Sequence, residues 1–319
     1  MYKIAIVDKM HEDGISLLKN NPKFKCEVIE DLTKENLISK LPNFDGMTLR
    51  RGKIDAEILE KCKNLKVISR HGVGFDNVDI KFLKKNNIKL LVTATTTSVS
   101  PSEHIMFMIL NILKGKDFFD QSVRKGKFET VMHMQHNTFE LSNKKILIIG
   151  FGRIGKKLIK RCLGFDMQVY AYDPYVEKKV IESFGGIKIE DFLQGIKEAD
   201  VISLSVPLTE ETRNMITIDK MKMMKKNAII VNTSRGGVVN EKDLNEALNK
   251  KIIFGAGLDV FEKEPPDSNN PLLTNERVTL SPHAATFTQE CLSEMSKETA
   301  QNLINFFEGK LSEDSIVKI

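Results

Sequence analysis

Ile146-Leu147-Ile148-Ile149-Gly150-Phe151-Gly152-Arg153-Ile154-Gly155 decides how this 319-residue chain is read. Four consecutive aliphatic residues read as a strand of a parallel α/β sheet. The glycines that follow have the spacing G-x-G-x-x-G, and Leu158 and Ile159 then begin a helical period. Alone the motif is weak; strand before and helix after give it meaning. Gly150 permits the tight turn, Gly152 removes a Cβ that would collide with a pyrophosphate, and Gly155 lets helix and strand pack closely. The helix N-terminus offers free N–H groups and a positive dipole to phosphate. The next strand, 168–172, runs into Asp173, eighteen residues past Gly155. A carboxylate there accepts ribose hydroxyls and repels a 2′-phosphate, which specifies NAD over NADP.

Outward from this unit, strands are expected at 146–149, 168–172, 201–206, 228–231, 255–260 and 277–280, with a helix at 241–249 that Asn240 caps and a last helix at 289–307. Before it, strands at 3–7, 27–29, 46–49, 66–69 and 88–92 alternate with helices such as 55–62 and 80–86, enough for a small doubly wound domain. Ser100-Pro101-Ser102-Glu103 has the form of a capping box with Ser100 as N-cap. It opens a helix, apolar nearly all round through Leu113, that is expected between two domains or in a subunit interface.

Composition narrows the function classes. Hydrophobic residues at 41% and charged residues at 29% describe an ordinary globular protein, and the length suits two domains. Cys26, Cys62, Cys162 and Cys291 are scattered without C-x-x-C, as in a reduced cytoplasmic protein. The N-terminus lacks a signal peptide, and no apolar run approaches the ~18 residues of a membrane span. The net charge of +5 comes from lysines mixed with acids and few aromatics, so a nucleic-acid partner is not expected. His133-x-x-His136 has a metal-ligand spacing but no evident third ligand, so no metal is expected.

Ligands of an open α/β sheet sit beyond the carboxyl ends of its strands. The residues there include Pro207, Thr233-Ser234-Arg235-Gly236-Gly237, Asp259 and Pro282-His283. Arg235 can clamp a carboxylate through two parallel hydrogen bonds. His283 can exchange a proton near neutral pH, and Glu264 can reach the imidazole and hold it charged.

Read together, these residues resemble the D-isomer-specific 2-hydroxy-acid dehydrogenases, most of all the D-3-phosphoglycerate dehydrogenase branch. The resemblance spans nearly the whole chain. It rests on Arg70-His71-Gly72-Val73-Gly74-Phe75-Asp76-Asn77-Val78-Asp79, the Ser98–Glu103 helix start, the Gly150–Gly155 loop, Pro207-Leu208-Thr209, Thr233-Ser234-Arg235-Gly236, Leu258-Asp259-Val260-Phe261 with Glu264-Pro265, and Ser281-Pro282-His283. It implies two doubly wound parallel-sheet α/β domains: a flavodoxin-like substrate domain of residues 1–98 plus 287–319, and a Rossmann-type NAD-binding domain of 99–286. The active site is then expected in the cleft between them.

The resemblance further implies Arg235, Glu264 and His283 as the catalytic set. Gly150, Gly152, Arg153, Ile154, Gly155, Asp173, Val206, Pro207, Thr233, Ser234 and Asp259 become cofactor residues, with Asp259 near the nicotinamide. Backbone N–H groups of Gly72, Val73 and Gly74 are expected on the substrate carboxylate. Arg50 and Arg70, at strand ends, match positions that face a substrate phosphate in the phosphoglycerate branch; surface arginines are the alternative. The substrate implied is a small 2-hydroxy/2-oxo acid, with 3-phosphoglycerate, glyoxylate and hydroxypyruvate left open, and the assembly a homodimer or homotetramer. The sequence ends at Ile319, soon after the last helix, so the regulatory domain carried by some phosphoglycerate dehydrogenases is not expected. A non-catalytic NAD(H)-sensing interaction protein of the same fold is the competing class.

Overall fold

A computed structural model describes residues 1–318. The chain divides into two compact units, Met1–Thr97 with Thr286–Ile319, and Ser98–Ala285. In the first, strands β1 (Tyr2–Val7), β2 (Phe24–Ile29), β3 (Gly46–Leu49), β4 (Val67–Arg70) and β5 (Lys89–Val92) form an all-parallel sheet in the order β2-β1-β3-β4-β5. This is the flavodoxin-type doubly wound order, whose switch point lies between β1 and β3. Successive residues of β1 serve opposite cores: Ile4 and Ile6 pack with Leu18 and Leu303, Ala5 and Val7 with Ile58 and Leu83. Helix Gln289–Glu308, last in the chain, closes one face by packing on helix Glu12–Lys19 and β4. The Thr288 side chain caps it by accepting from Cys291 N.

In the second unit, β6 (Lys145–Ile149), β7 (Gln168–Tyr172), β8 (Ile187–Lys188), β9 (Val201–Leu204), β10 (Ile229–Asn232), β11 (Gly255–Leu258) and β12 (Val278–Leu280) form a parallel sheet in the order β12-β11-β10-β9-β6-β7-β8. The chain runs outward from β6 to β8, then returns across β6 to build the other half. The switch point therefore lies between β6 and β9, the Rossmann arrangement extended by one strand. Leu147 and Ile149 enter one core and Ile146 and Ile148 the other, which is why this strand carries no polar face.

Several expectations change in detail. The two-residue edge strand β8 has no counterpart among the strands expected from sequence. β9 and β11 stop at Leu204 and Leu258, because Ser205–Val206 and Asp259–Val260 leave the ladder to form loops at the carboxyl edge. The expected capping box at Ser100–Glu103 does not form. Helix Val99–Lys114 starts two residues earlier with Ser98 at its N-cap and no side-chain cap bond. Ser100 is buried instead and donates through Oγ to Ala285 O at 2.6 Å, while Glu103 accepts from Arg161 at 2.6 Å. Pro101 is tolerated because first-turn N–H groups have no intrahelical acceptor. The apolar residues of this helix serve the unit's own core: Ile105, Met106, Met108, Ile109 and Leu113 are buried, and the helix packs on helix Arg153–Leu163, β10 and β11. Phe107 points outward, half exposed. Among the described residues no helix is long and apolar enough to cross a membrane.

Candidate active site

Gly150–Gly155 leaves β6 at the switch point. Gly150 has φ +92°, and a Cβ there would lie 2.4 Å from Ser205 O, so the turn and the neighbouring β9 loop both require glycine. At Gly155 a Cβ would stand 2.7 Å from Gly150 O. Gly152 differs, since a Cβ there meets nothing within 4 Å. It is the N-cap of helix Arg153–Leu163 and offers no side-chain cap, so the first-turn N–H groups of Arg153 and Ile154 receive no acceptor from it. This cradle, open on the helix-terminus side and closed by backbone elsewhere, fits a pyrophosphate. Phe151 is fully buried, its ring edge-on to Phe184 at 5.9 Å. Asp173 binds the loop as well: Oδ2 accepts from Phe151 N at 2.8 Å and Oδ1 from Tyr175 N at 2.9 Å. Val206 follows β9, and its Cγ1 would be 2.9 Å from a Gly150 Cβ.

The three expected catalytic side chains come from loops after β10, β11 and β12. Asn232 ends β10 and shapes the first: its Oδ1 accepts from Ser234 N (3.0 Å) and Ser234 Oγ (2.7 Å), and its Nδ2 donates to Arg235 O (2.9 Å). Arg235 Nη1 donates to Ser234 O at 2.7 Å, and Thr233 is buried. Gly236 lies against the next loop, where a Cβ would be 1.8 Å from Phe261 O. Phe261 N in turn donates to Glu264 Oε1 at 3.1 Å, and Glu264 Oε2 meets His283 Nδ1 at 2.8 Å. A carboxylate only accepts, so Nδ1 carries the proton in this bond and Nε2 is the nitrogen left to exchange one with a ligand. Burial alone would raise the Glu264 carboxyl. The His283 bond and charge, the Phe261 N–H and the Arg235 guanidinium outweigh it and hold the group below the usual range.

Beneath His283 lies Asp259, fully buried. Its Oδ1 accepts from Ser281 Oγ (2.5 Å) and Ala284 N (2.7 Å), Oδ2 from Ala285 N (3.0 Å), and its main-chain O from His283 N (2.7 Å). The carboxylate is thus occupied with the loop that carries the imidazole.

The first unit has its own polar cluster at the carboxyl ends of its strands. Arg50 and Arg51 follow β3, Arg70 ends β4, and His71, Gly72, Val73 and Gly74 come next. Arg51 forks onto Asp8 (2.6 and 3.2 Å), a pair that sequence reasoning missed because forty-three positions separate the partners. Arg50 Nη1 donates to Lys9 O at 3.0 Å, and Arg70 Nη1 to Leu49 O at 3.1 Å and His71 O at 2.6 Å. Gly72 has φ +129°, open only to glycine. His71 is buried; burial first, then the charges of Arg50 and Arg70, push it down to about 4. His133 and His136 are exposed, and His136 packs edge-on to Phe119 at 5.1 Å.

A glycine cradle at the switch point, with acid, base and guanidinium on later strand-end loops, defines a dinucleotide-binding α/β protein. Residues 106–285 match the family described as D-isomer specific 2-hydroxyacid dehydrogenase, NAD binding domain. The D-3-phosphoglycerate dehydrogenase of Methanocaldococcus jannaschii is 38% identical over 317 residues, which is 99% of this chain and 59% of that protein; the chain thus spans about three-fifths of this relative's length. The glyoxylate reductase of Korarchaeum cryptofilum is 33% identical over 314 residues, 97% of this chain and 94% of that protein. The crystal structure of D-lactate dehydrogenase from Aquifex aeolicus, complexed with NAD and lactic acid, superposes with a TM-score of 0.86 at 26% identity, covering 98% of each chain. The chain belongs to the D-isomer specific 2-hydroxyacid dehydrogenase family, and its second unit is an NAD binding domain.

Proposed function

We propose that this chain is an NAD-dependent oxidoreductase that moves a hydride between nicotinamide and C2 of a small D-2-hydroxy or 2-oxo acid. The observation that carries the reading is the 2.8 Å His283–Glu264 bond, with the Arg235 loop seated on the loop that holds Glu264. When bound, NADH supplies the hydride for C2. Arg235 binds the carboxylate of the 2-oxo acid and polarises its ketone. His283 gives its Nε2 proton to the oxygen on which negative charge grows, and Glu264 offsets the charge of the imidazolium. In the oxidising direction His283 starts neutral and takes the proton.

Asp173 serves the ribose and the N–H groups of Arg153 and Ile154 the pyrophosphate. Val206, Pro207, Thr233 and Ser234 line the cofactor, with Asp259 near the nicotinamide. Arg50, Arg70 and the N–H groups of Gly72, Val73 and Gly74 receive the anionic ends of the substrate, which supports a phosphorylated or doubly anionic acid. The test is NADH oxidation with glyoxylate, hydroxypyruvate and phosphohydroxypyruvate, on wild type and Arg50→Ala. Selective loss of the phosphorylated substrate in the variant supports the dianion reading. NADH binding without turnover on any of the three refutes the enzyme and favours a dinucleotide-sensing protein.

The assembly we propose is a homodimer of a cytoplasmic protein. Half-exposed Phe107, Phe118, Val123, Phe128, Met132 and Met134 lie on three successive helices, Val99–Lys114, Lys116–Arg124 and Phe128–Met132, and the loop just after them. So concentrated an apolar set marks an association surface. The four cysteines are free thiols, as a reducing compartment keeps them. Sedimentation should give twice the chain mass, and Phe118→Asp should return it to one; a monomeric wild type refutes the dimer.

A further inference from the structure

We propose that Ser100 and His104 are positioning residues for proton transfer, clamping both ends of the loop 281–285 that carries His283; the inference rests on His283 being the proton donor. The two residues are one turn apart on helix Val99–Lys114 and share a face. Ser100 Oγ donates to Ala285 O at 2.6 Å, and His104 Nε2 meets Ser281 Oγ at 2.8 Å. Between these points Asp259 accepts from Ser281 Oγ, Ala284 N and Ala285 N.

Proton accounting gives every bond a direction. Asp259 as a carboxylate only accepts, so the single proton of the Ser281 hydroxyl goes to it. The Ser281 oxygen must then accept from His104, which fixes a proton on His104 Nε2. His104 Nε2 also lies 3.6 Å from Asp259 Oδ1, beside the buried negative charge. The loop needs such support because His283 has φ +53°, a left-handed conformation that a residue with a Cβ keeps only where its neighbours hold it. Glu264 tethers the imidazole by its side chain; the clamp tethers it by its backbone. His104 is mostly withdrawn from solvent, and Ser281 is the hydrogen-bond partner that its Nε2 meets there.

The test uses the full chain with His104→Phe, His104→Gln, Ser100→Ala and His283→Ala. His104→Phe keeps the ring volume and loses the donor, whereas His104→Gln can place an amide N–H where Nε2 was. His104→Phe should lower kcat about tenfold, on the scale that small misplacement of a reacting group exacts. NADH affinity should stay unchanged, and the D2O solvent isotope effect on kcat should rise as proton transfer becomes slower. His104→Gln should restore most of both, and Ser100→Ala should reproduce the isotope signature with a smaller loss. If His104→Phe fails to fold, Ser100→Ala and His104→Gln carry the same comparison. Wild-type kcat and isotope effect in His104→Phe or, should that variant not fold, in Ser100→Ala, or a glutamine variant no better than phenylalanine, would overturn the clamp. Turnover surviving in His283→Ala would remove the proton donor itself. Turnover lost there while the clamp variants stay intact would sink the clamp alone.

Discussion

Gly236→Ala tests whether the loops that carry Arg235 and Glu264 act together in the proposed chemistry. A methyl group at this position would sit 1.8 Å from Phe261 O, 2.0 Å from Phe261 C and 2.5 Å from Glu262 N. All three are backbone atoms, so no rotamer change relieves the contact. Reaching the 3.4 Å at which ordinary contact begins requires the two loops to part by about 1.6 Å (3.4 less 1.8). One loop carries Arg235 and the other positions Glu264, and through it His283. A displacement of roughly 1 Å in a reacting constellation costs about a hundredfold in rate, so kcat/KM for a 2-oxo acid should fall by at least that factor. Overpacking should also cost about 1–3 kcal/mol of stability. The Gly150–Gly155 cradle is built on other strands, so NADH should still bind, weakened only as far as Thr233 and Ser234 move with their loop. Steady-state NADH oxidation, NADH fluorescence titration and urea unfolding measure the three effects. Wild-type kcat/KM in a folded Gly236→Ala protein would refute the coupling of these loops.

Three further expectations follow from the same geometry. Asp173→Ala releases the Phe151 and Tyr175 N–H groups and removes the charge that repels a 2′-phosphate, so the NADPH to NADH ratio of kcat/KM should rise about ten- to a hundredfold; a wild type that already prefers NADPH contradicts the ribose role. Glu264→Gln removes the anion beside the imidazole, so the pH above which reduction fades should move down, and an unchanged pH profile of kcat/KM counts against the pair. His71 titrates at about 4 when folded, below the ordinary ~6.5 of the unfolded chain, so between these values the unfolded state binds the extra proton and stability falls as pH falls. His71→Asn should flatten that slope in urea unfolding from pH 7 to 4, and an identical slope would remove His71 as its source.

The parts legible in the sequence are those whose cause is local. Strand Lys145–Ile149 could be read because burial on both faces leaves an uninterrupted aliphatic run, and the cradle because each glycine answers a backbone constraint a few residues away. That Arg235, Glu264 and His283 lie on loops at one edge of the sheet could be anticipated because parallel strands deliver their loops there. What stayed hidden depends on partners distant in sequence. Ser100 carries every sign of a helix cap, yet a carbonyl 185 residues away takes its hydroxyl. His104 looks like a stray polar residue until Ser281 is beside it. The Asp8–Arg51 fork leaves no local pattern, and β8 is too short for any periodicity to register.

Phe151 has one more consequence. Its ring is sealed in the core while its amide is held by Asp173, so the phosphate loop is fastened from below and from the side by this chain's own residues. A loop so fastened has little freedom to lose when a ligand settles on it. Dinucleotide capture should then be governed by encounter and release rather than by folding of the loop around its guest.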